Sequence, residues 1–141
     1  MRGGRTSPAT AAPYGDLPWG GVMGAAPGVS MRNPLHQPLD HALEVISLSR
    51  PLVEAVARRD RDLGAQLRRA LSSIALNLAE ASGNQAGNAR LRYESARGSL
   101  YEARAALRVA LAWGYVEAEA ARGVLESMND LGGRVFGLAR R

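Results

Sequence analysis

The sequence predicts an all-α domain, an antiparallel up-down-up-down four-helix bundle. Three observations carry that reading. Leucine and alanine dominate an apolar fraction of 46%, with one Phe and two Trp, and both are good helix formers. From Leu39 onward, apolar residues recur at alternating steps of four and three, the period of a helix with one buried face. Glycine, asparagine and charged breaks cut this pattern into roughly 20-residue pieces, and short links favour antiparallel neighbours.

The first helix is expected over 40–59, with Asp40 as N-cap because its carboxylate can accept from the orphan amides of the first turn. Ala42, Ile46, Ser49, Val53 and Val56 form its seam, and Val45, Leu48 and Leu52 widen that face. Pro51 lacks the amide that would bond back to Ser47, so a kink is expected there. "RRDRD" at 58–62 reads as a charged turn. Helix two, over 62–82, buries Leu67, Leu71, Ile74, Leu78 and Ala81; "SGNQAGN" at 82–88 ends it. Helix three, over 88–113, buries Ala96, Leu100, Ala103, Leu107 and Ala110, flanked by Leu111, and Gly114 is a natural stop. Helix four, over 117–139, buries Val124, Met128, Leu131, Val135 and Leu138; Gly132, Gly133 and Gly137 weaken it where a neighbour packs closely.

Residues 1–38 differ in texture. They hold six of the seven prolines, many glycines and no period, and such a segment cannot bury enough surface to offset its ordering entropy. The expected organisation is therefore a disordered Pro/Gly/Ala-rich tail over 1–38 and a bundle over 39–141. Met23 and Met31 leave open a later translation start.

Composition excludes several function classes. The chain has no cysteine, which removes disulfides, thiolate metal sites and cysteine nucleophiles. No apolar run approaches the roughly 18 residues of a membrane span, and the N-terminus lacks an apolar signal segment, so a cytoplasmic location is expected. A carboxylate-bridged di-metal bundle needs inward Glu-x-x-His pairs; the two histidines are His36 in the tail and His41, which with Glu44 gives the reverse order and no second copy. No Ser-His-Asp set and no phosphate-cradling glycine loop is present. The reading is non-enzymatic, with no catalytic residue, metal or cofactor expected.

The charge is informative in another way. Net charge is +5 and every basic residue is arginine, whose planar fork of donors suits phosphate or carboxylate. Such a balance is compatible with nucleic acid, while an arginine-only set also follows from genomic base composition. On helix two, Arg69, Ser73, Asn77 and Glu80 form a polar arc roughly 110° from the seam. Spacings of four and three let neighbours in this arc reach one another, as a polar network setting helix register or a subunit contact; a solvated edge is the plain alternative. On helix three, Arg90, Arg97, Arg104 and Arg108 lie within roughly 40° of each other, bordered by Tyr93 and Tyr101. Arg97 and Arg104, nearest the seam, are expected to pair inside the assembly; Arg90 and Arg108, with Arg68 of helix two, are the candidates for phosphate contact. The alternative for all of them is pairing with nearby carboxylates, or solubility. Gly98 inside helix three costs roughly 1 kcal/mol relative to alanine, so a close approach of another helix is expected there, one that serves assembly more than the fold of the monomer, with Ser99 beside it. Leu76 points away from the seam and suits a subunit interface.

Two stretches also carry a resemblance. Gln66-Leu67-Arg68-Arg69-Ala70, Ser73-Ile74 and Asn77-Leu78-Ala79-Glu80, followed by Ala96-Arg97-Gly98-Ser99-Leu100 with Glu102, resemble the hallmark of the four-helix-bundle family of proteins encoded in intervening sequences of bacterial 23S rRNA genes, once labelled S23 ribosomal proteins. The accessory variability determinant of diversity-generating retroelements is similar. Ala81 stands where that pattern has glycine and Leu78 where it has isoleucine; both are conservative in a helix. The resemblance spans 40–140 and implies a four-helix bundle assembling as a homo-oligomer, a pentameric ring being the best-known case, without enzymatic activity. The expected function is a homo-oligomeric scaffold that associates with RNA or DNA through an arginine-rich surface; the alternative is a purely protein-binding or structural oligomer.

Overall fold

A computed structural model of the chain describes residues 37–84 and 86–141. They form four α-helices: α1 (Pro38–Arg59), α2 (Arg61–Gly83), α3 (Ala86–Ala112) and α4 (Ala118–Ala139). Each helix packs on its neighbour in sequence, α4 closes against α1, and the α2–α3 contact is the most extensive. That ring of adjacent contacts, with short links, is the antiparallel up-down-up-down bundle. Arg59, at the end of α1, sits 5.6 Å from the Tyr115 ring centroid just after α3, so α1 and α3 finish at the same end.

Local chemistry explains the ends. α1 begins earlier than the expected residue 40: Gln37 is its N-cap and Pro38 its first residue, where a fixed φ is pre-organised and a missing amide costs nothing. Asp40 is therefore not the cap; it lies in the first turn, where its charge favours the helix dipole. The tail expected over 1–38 otherwise lies outside the described residues. α1 runs uninterrupted through Pro51, and the buried Ser49 hydroxyl donates to the Val45 carbonyl at 2.6 Å. The charged turn contracts to Asp60 alone. Its amide donates to Val56 O at 2.7 Å, closing α1. Its Oδ1 accepts from the Leu63 amide at 3.0 Å, opening α2. α3 ends as its glycine requires: Gly114 has φ +76°, Tyr115 N–H donates to Ala110 O at 2.9 Å and Gly114 N–H to Leu111 O at 3.0 Å. These are the paired bonds of a Schellman motif.

The core is a continuous layer of Val45, Leu52, Val56, Leu67, Ile74, Leu100, Leu107, Met128, Leu131 and Val135, with alanines between them. All five seam residues expected for α2 and all five for α3 are buried; Leu48 in α1 is 46% exposed and Leu138 in α4 is half-buried. The α2 seam is rich in leucine, whereas α3 contributes Ala96, Ala103, Ala106 and Ala110, and small side chains let α2 and α3 approach closely.

Glycine roles are redistributed. A Cβ on Gly98 would meet nothing within 4 Å, so the close approach expected there does not occur within the chain. It occurs instead at the buried Gly64, where a Cβ would stand 2.6 Å from Ala57 Cα, because a one-residue link forces the end of α1 against the start of α2. Gly132 meets Leu100 Cδ2 at 3.3 Å, whereas Gly133 and Gly137 face open space. Urea denaturation should separate these sites. Gly64→Ala is expected to lose about 1–3 kcal/mol through overpacking against backbone. Gly98→Ala is expected to gain up to about 1 kcal/mol, the helix-propensity difference.

Candidate nucleic-acid interface and polar seam

The polar arc of α2 turns toward α3, apart from Arg69. Ser73 and Asn77 face α3: the Ser73 and Ser99 hydroxyl oxygens are 2.7 Å apart, and Asn77 Nδ2 donates to Ser73 O at 2.9 Å and Ser73 Oγ at 3.1 Å. Glu80 reaches Arg92 of α3, with Oε2 2.8 Å from Nε. At the other end Gln66 Nε2 donates to Glu102 Oε1 at 3.5 Å. Together these contacts make a polar border along the α2–α3 interface. Arg69 is exposed and makes no ion pair among the described residues. Arg92 carries no signal in a single-helix wheel that would single it out as the partner of Glu80; it sits on the opposite edge of α3 from the arginine row.

That row lies on the α4-facing edge of α3. Arg97 fixes its direction: its Cζ is 5.1 Å from the Phe136 ring centroid on α4 and 5.6 Å from that of Tyr101. Tyr101 beside it raises the Arg97 pKa above its ordinary value, chiefly through hydrogen bonding, with the charge of Glu94 adding to the effect. The Glu94 carboxylate is 3.5 Å from Nη1 of Arg97, so Arg97 pairs within its own helix. Arg140 approaches the same Phe136 ring at 5.2 Å. Helical periodicity places Arg90, Arg104 and Arg108 on the Arg97 edge. Arg90 and Arg108 are exposed without an ion pair among the described residues. Arg104 is half-buried, and its Nε is buried without a hydrogen-bond partner. Tyr101 and Phe136 remain 53% and 40% exposed, so two ring faces lie among these guanidinium groups. Phe136 and Arg140 carried a visible signal, an aromatic and a cation one turn apart at the end of α4.

Arg68 does not join this row. It lines a cleft with Ile46, Arg50 and Glu54 between α1 and α2, and in a ring of four helices the α1–α2 side is opposite the α3–α4 side. Gly98 lies on the outward face of α3 and Ser99 on its α2-facing edge. Leu76, 65% exposed, lines with Arg68, Arg69 and Ser72 an open depression that extends to the Glu80–Arg92 pair at the α2–α3 edge. His41 is buried, with Nδ1 3.4 Å from Arg134 Nη1. Among the described residues no cluster of acidic and histidine side chains is arranged to hold a metal ion, and no helix is long and apolar enough to cross a membrane.

Comparison with known proteins adds one finding. The family model described as 23S rRNA-intervening sequence protein matches residues 39–137, which takes in nearly all of the four helices. No curated protein and no solved structure gives a significant match, and no relation to the retroelement determinant is shown. A four-helix chain matched from the first turn of α1 to the last turn of α4 belongs to the 23S rRNA-intervening sequence protein family.

Proposed function

We propose that the protein is a non-enzymatic, homo-oligomeric scaffold of the cytoplasm that binds nucleic acid along the α3–α4 edge. One observation supports this above the others: Arg90, Arg97, Arg104 and Arg108 line a single edge of α3, and the exposed Tyr101 and Phe136 rings stand among them. Guanidinium groups spaced along a helix can follow a phosphate backbone, and exposed rings offer stacking faces to unpaired bases. Arg90 and Arg108 supply the phosphate contacts, because neither is engaged by a carboxylate among the described residues. Arg97 holds Tyr101 and Phe136 in place. The family's name contains 23S rRNA, which makes RNA the first probe.

A second reading has its own support. Leu76, Leu91 and Trp113 are each about two-thirds exposed, at 65%, 65% and 68%, and exposed large apolar side chains suit protein contacts. In that reading the protein is a purely protein-binding or structural oligomer and the arginines serve solubility.

Titration against fluorescently labelled single-stranded RNA and duplex DNA over a salt series separates the two. Phosphate-driven binding must weaken linearly on a log–log salt plot, and the Arg90→Ala/Arg108→Ala variant should shallow the single-strand slope by about 1.4, at roughly 0.7 per phosphate contact. Tyr101→Ala should weaken single-stranded RNA by about 1–3 kcal/mol, the range for one stacked base, and leave duplex DNA nearly unchanged. Absent or salt-independent binding contradicts the nucleic-acid reading and leaves the structural one.

A further inference from the structure

The outward faces of α2 and α4 lie on opposite corners of the bundle, and they differ in chemistry. The corner at α2 presents Arg69 and Leu76, with Arg68 beside them, all exposed. Neither arginine makes an ion pair among the described residues. The corner at α4 presents Glu126, Asp130, Gly133 and Gly137, which fall within roughly 60° of one another, opposite the buried Met128, Leu131 and Val135. Both carboxylates are exposed and make no ion pair among the described residues. A Cβ on either glycine would meet nothing within 4 Å.

The register of the bundle sets these features at matching heights. Ser73 of α2 meets Ser99 of α3, and Leu100 of α3 meets Gly132 of α4. Ser73 therefore stands level with about residue 133 of α4, by the common rise per residue of packed helices. α2 and α4 both run antiparallel to α3, so they run in the same direction. Arg69 then stands level with the gap between Glu126 and Asp130, and Leu76 with the gap between Gly133 and Gly137. A basic corner faces an acidic one, and a protruding leucine faces a strip without side chains. Both faces belong to the same chain, at the same height and on opposite corners. Copies placed side by side with no rise along the helix axis would engage each corner once through a heterologous interface, which closes into a ring where successive copies are also rotated about that axis.

We propose that the α2 corner of one copy docks on the α4 corner of the next, with Arg69 between Glu126 and Asp130 and Leu76 over Gly133 and Gly137. The inference rests on the homo-oligomer proposed above and names its surface.

The test is a charge-reversal cycle on the full chain, read by native mass spectrometry and by size-exclusion chromatography with light scattering. Far-UV circular dichroism confirms that each variant is folded. Arg69→Glu and Asp130→Arg should each weaken assembly at least about ten-fold, as close interfacial charge pairs do, and the double variant should restore it. Gly133→Leu should also dissociate the assembly without loss of helicity. If both reversals leave assembly intact, or if Gly98→Leu on the outer face of α3 dissociates it while the reversals do not, the contact lies elsewhere. That result overturns this interface and leaves the oligomer standing. A wild-type chain that is monomeric across salt and concentration overturns both.

Discussion

The close approach of α2 and α3 is the constraint on which the rest of the structure depends. The buried alanines at 96, 103, 106 and 110 of α3 and the buried leucines and isoleucine of α2 share one core, and these two helices make the largest helix contact in the bundle. Small side chains there bring the backbones near enough for two serine hydroxyls, 26 residues apart in sequence, to meet at 2.7 Å. A neutral hydrogen bond of this kind contributes only about 1 kcal/mol net, yet it is directional, and a slip of one turn would part the half-buried Ser73 and Ser99 hydroxyls. Apolar packing supplies the attraction, and the polar border selects one register out of several that packing alone would tolerate.

That register decides which charged groups share an edge. With Ser99 turned toward α2, helical geometry turns Arg97 toward α4, where it settles between Tyr101 and Phe136. The remaining arginines of the row follow it. The other edge of α3 keeps Arg92, which Glu80 neutralises. One helix thus carries arginines with two different fates, held by a carboxylate on the α2 side and gathered around rings on the α4 side. The sequence stretch from Arg68 to Glu80 shows the same division. Its apolar positions build the core, Ser73 meets Ser99 across the interface with Asn77 bonded behind it, and Arg68 and Arg69 remain on the surface.

Much of this was legible from periodicity. The buried seams of α2 and α3, the stop at Gly114 and the family all follow from spacing and motif, because those features are local or repeat along one helix. What escaped depends on two helices at once. Asp60 looks like one charge in a run of five, and its double role as the end of α1 and the cap of α2 emerges only when both helices are placed. Gly64 looks like a tolerated helical glycine until Ala57 is seen beside it. Gly98 is the converse case: its cost inside a helix suggests a packed neighbour, and the position opens outward from its own bundle, where only another subunit could approach it. A wheel for α2 and another for α3 cannot say that Arg68 and Arg90 belong to opposite sides, since each wheel fixes directions only within its own helix.

The register of α2 against α3 can be measured directly, because the chain has no cysteine to interfere. Ser73→Cys combined with Ser99→Cys puts two thiols where the hydroxyls meet, within disulfide reach. Mild oxidation should yield an intrachain disulfide with no disulfide-linked dimer, unchanged helicity and higher resistance to urea. Ser73→Cys with Ser95→Cys, one turn away on the same helix, should remain reduced under the same conditions. Efficient bridging of the second pair, or failure of the first, would contradict the register and with it the assignment of arginines to their edges.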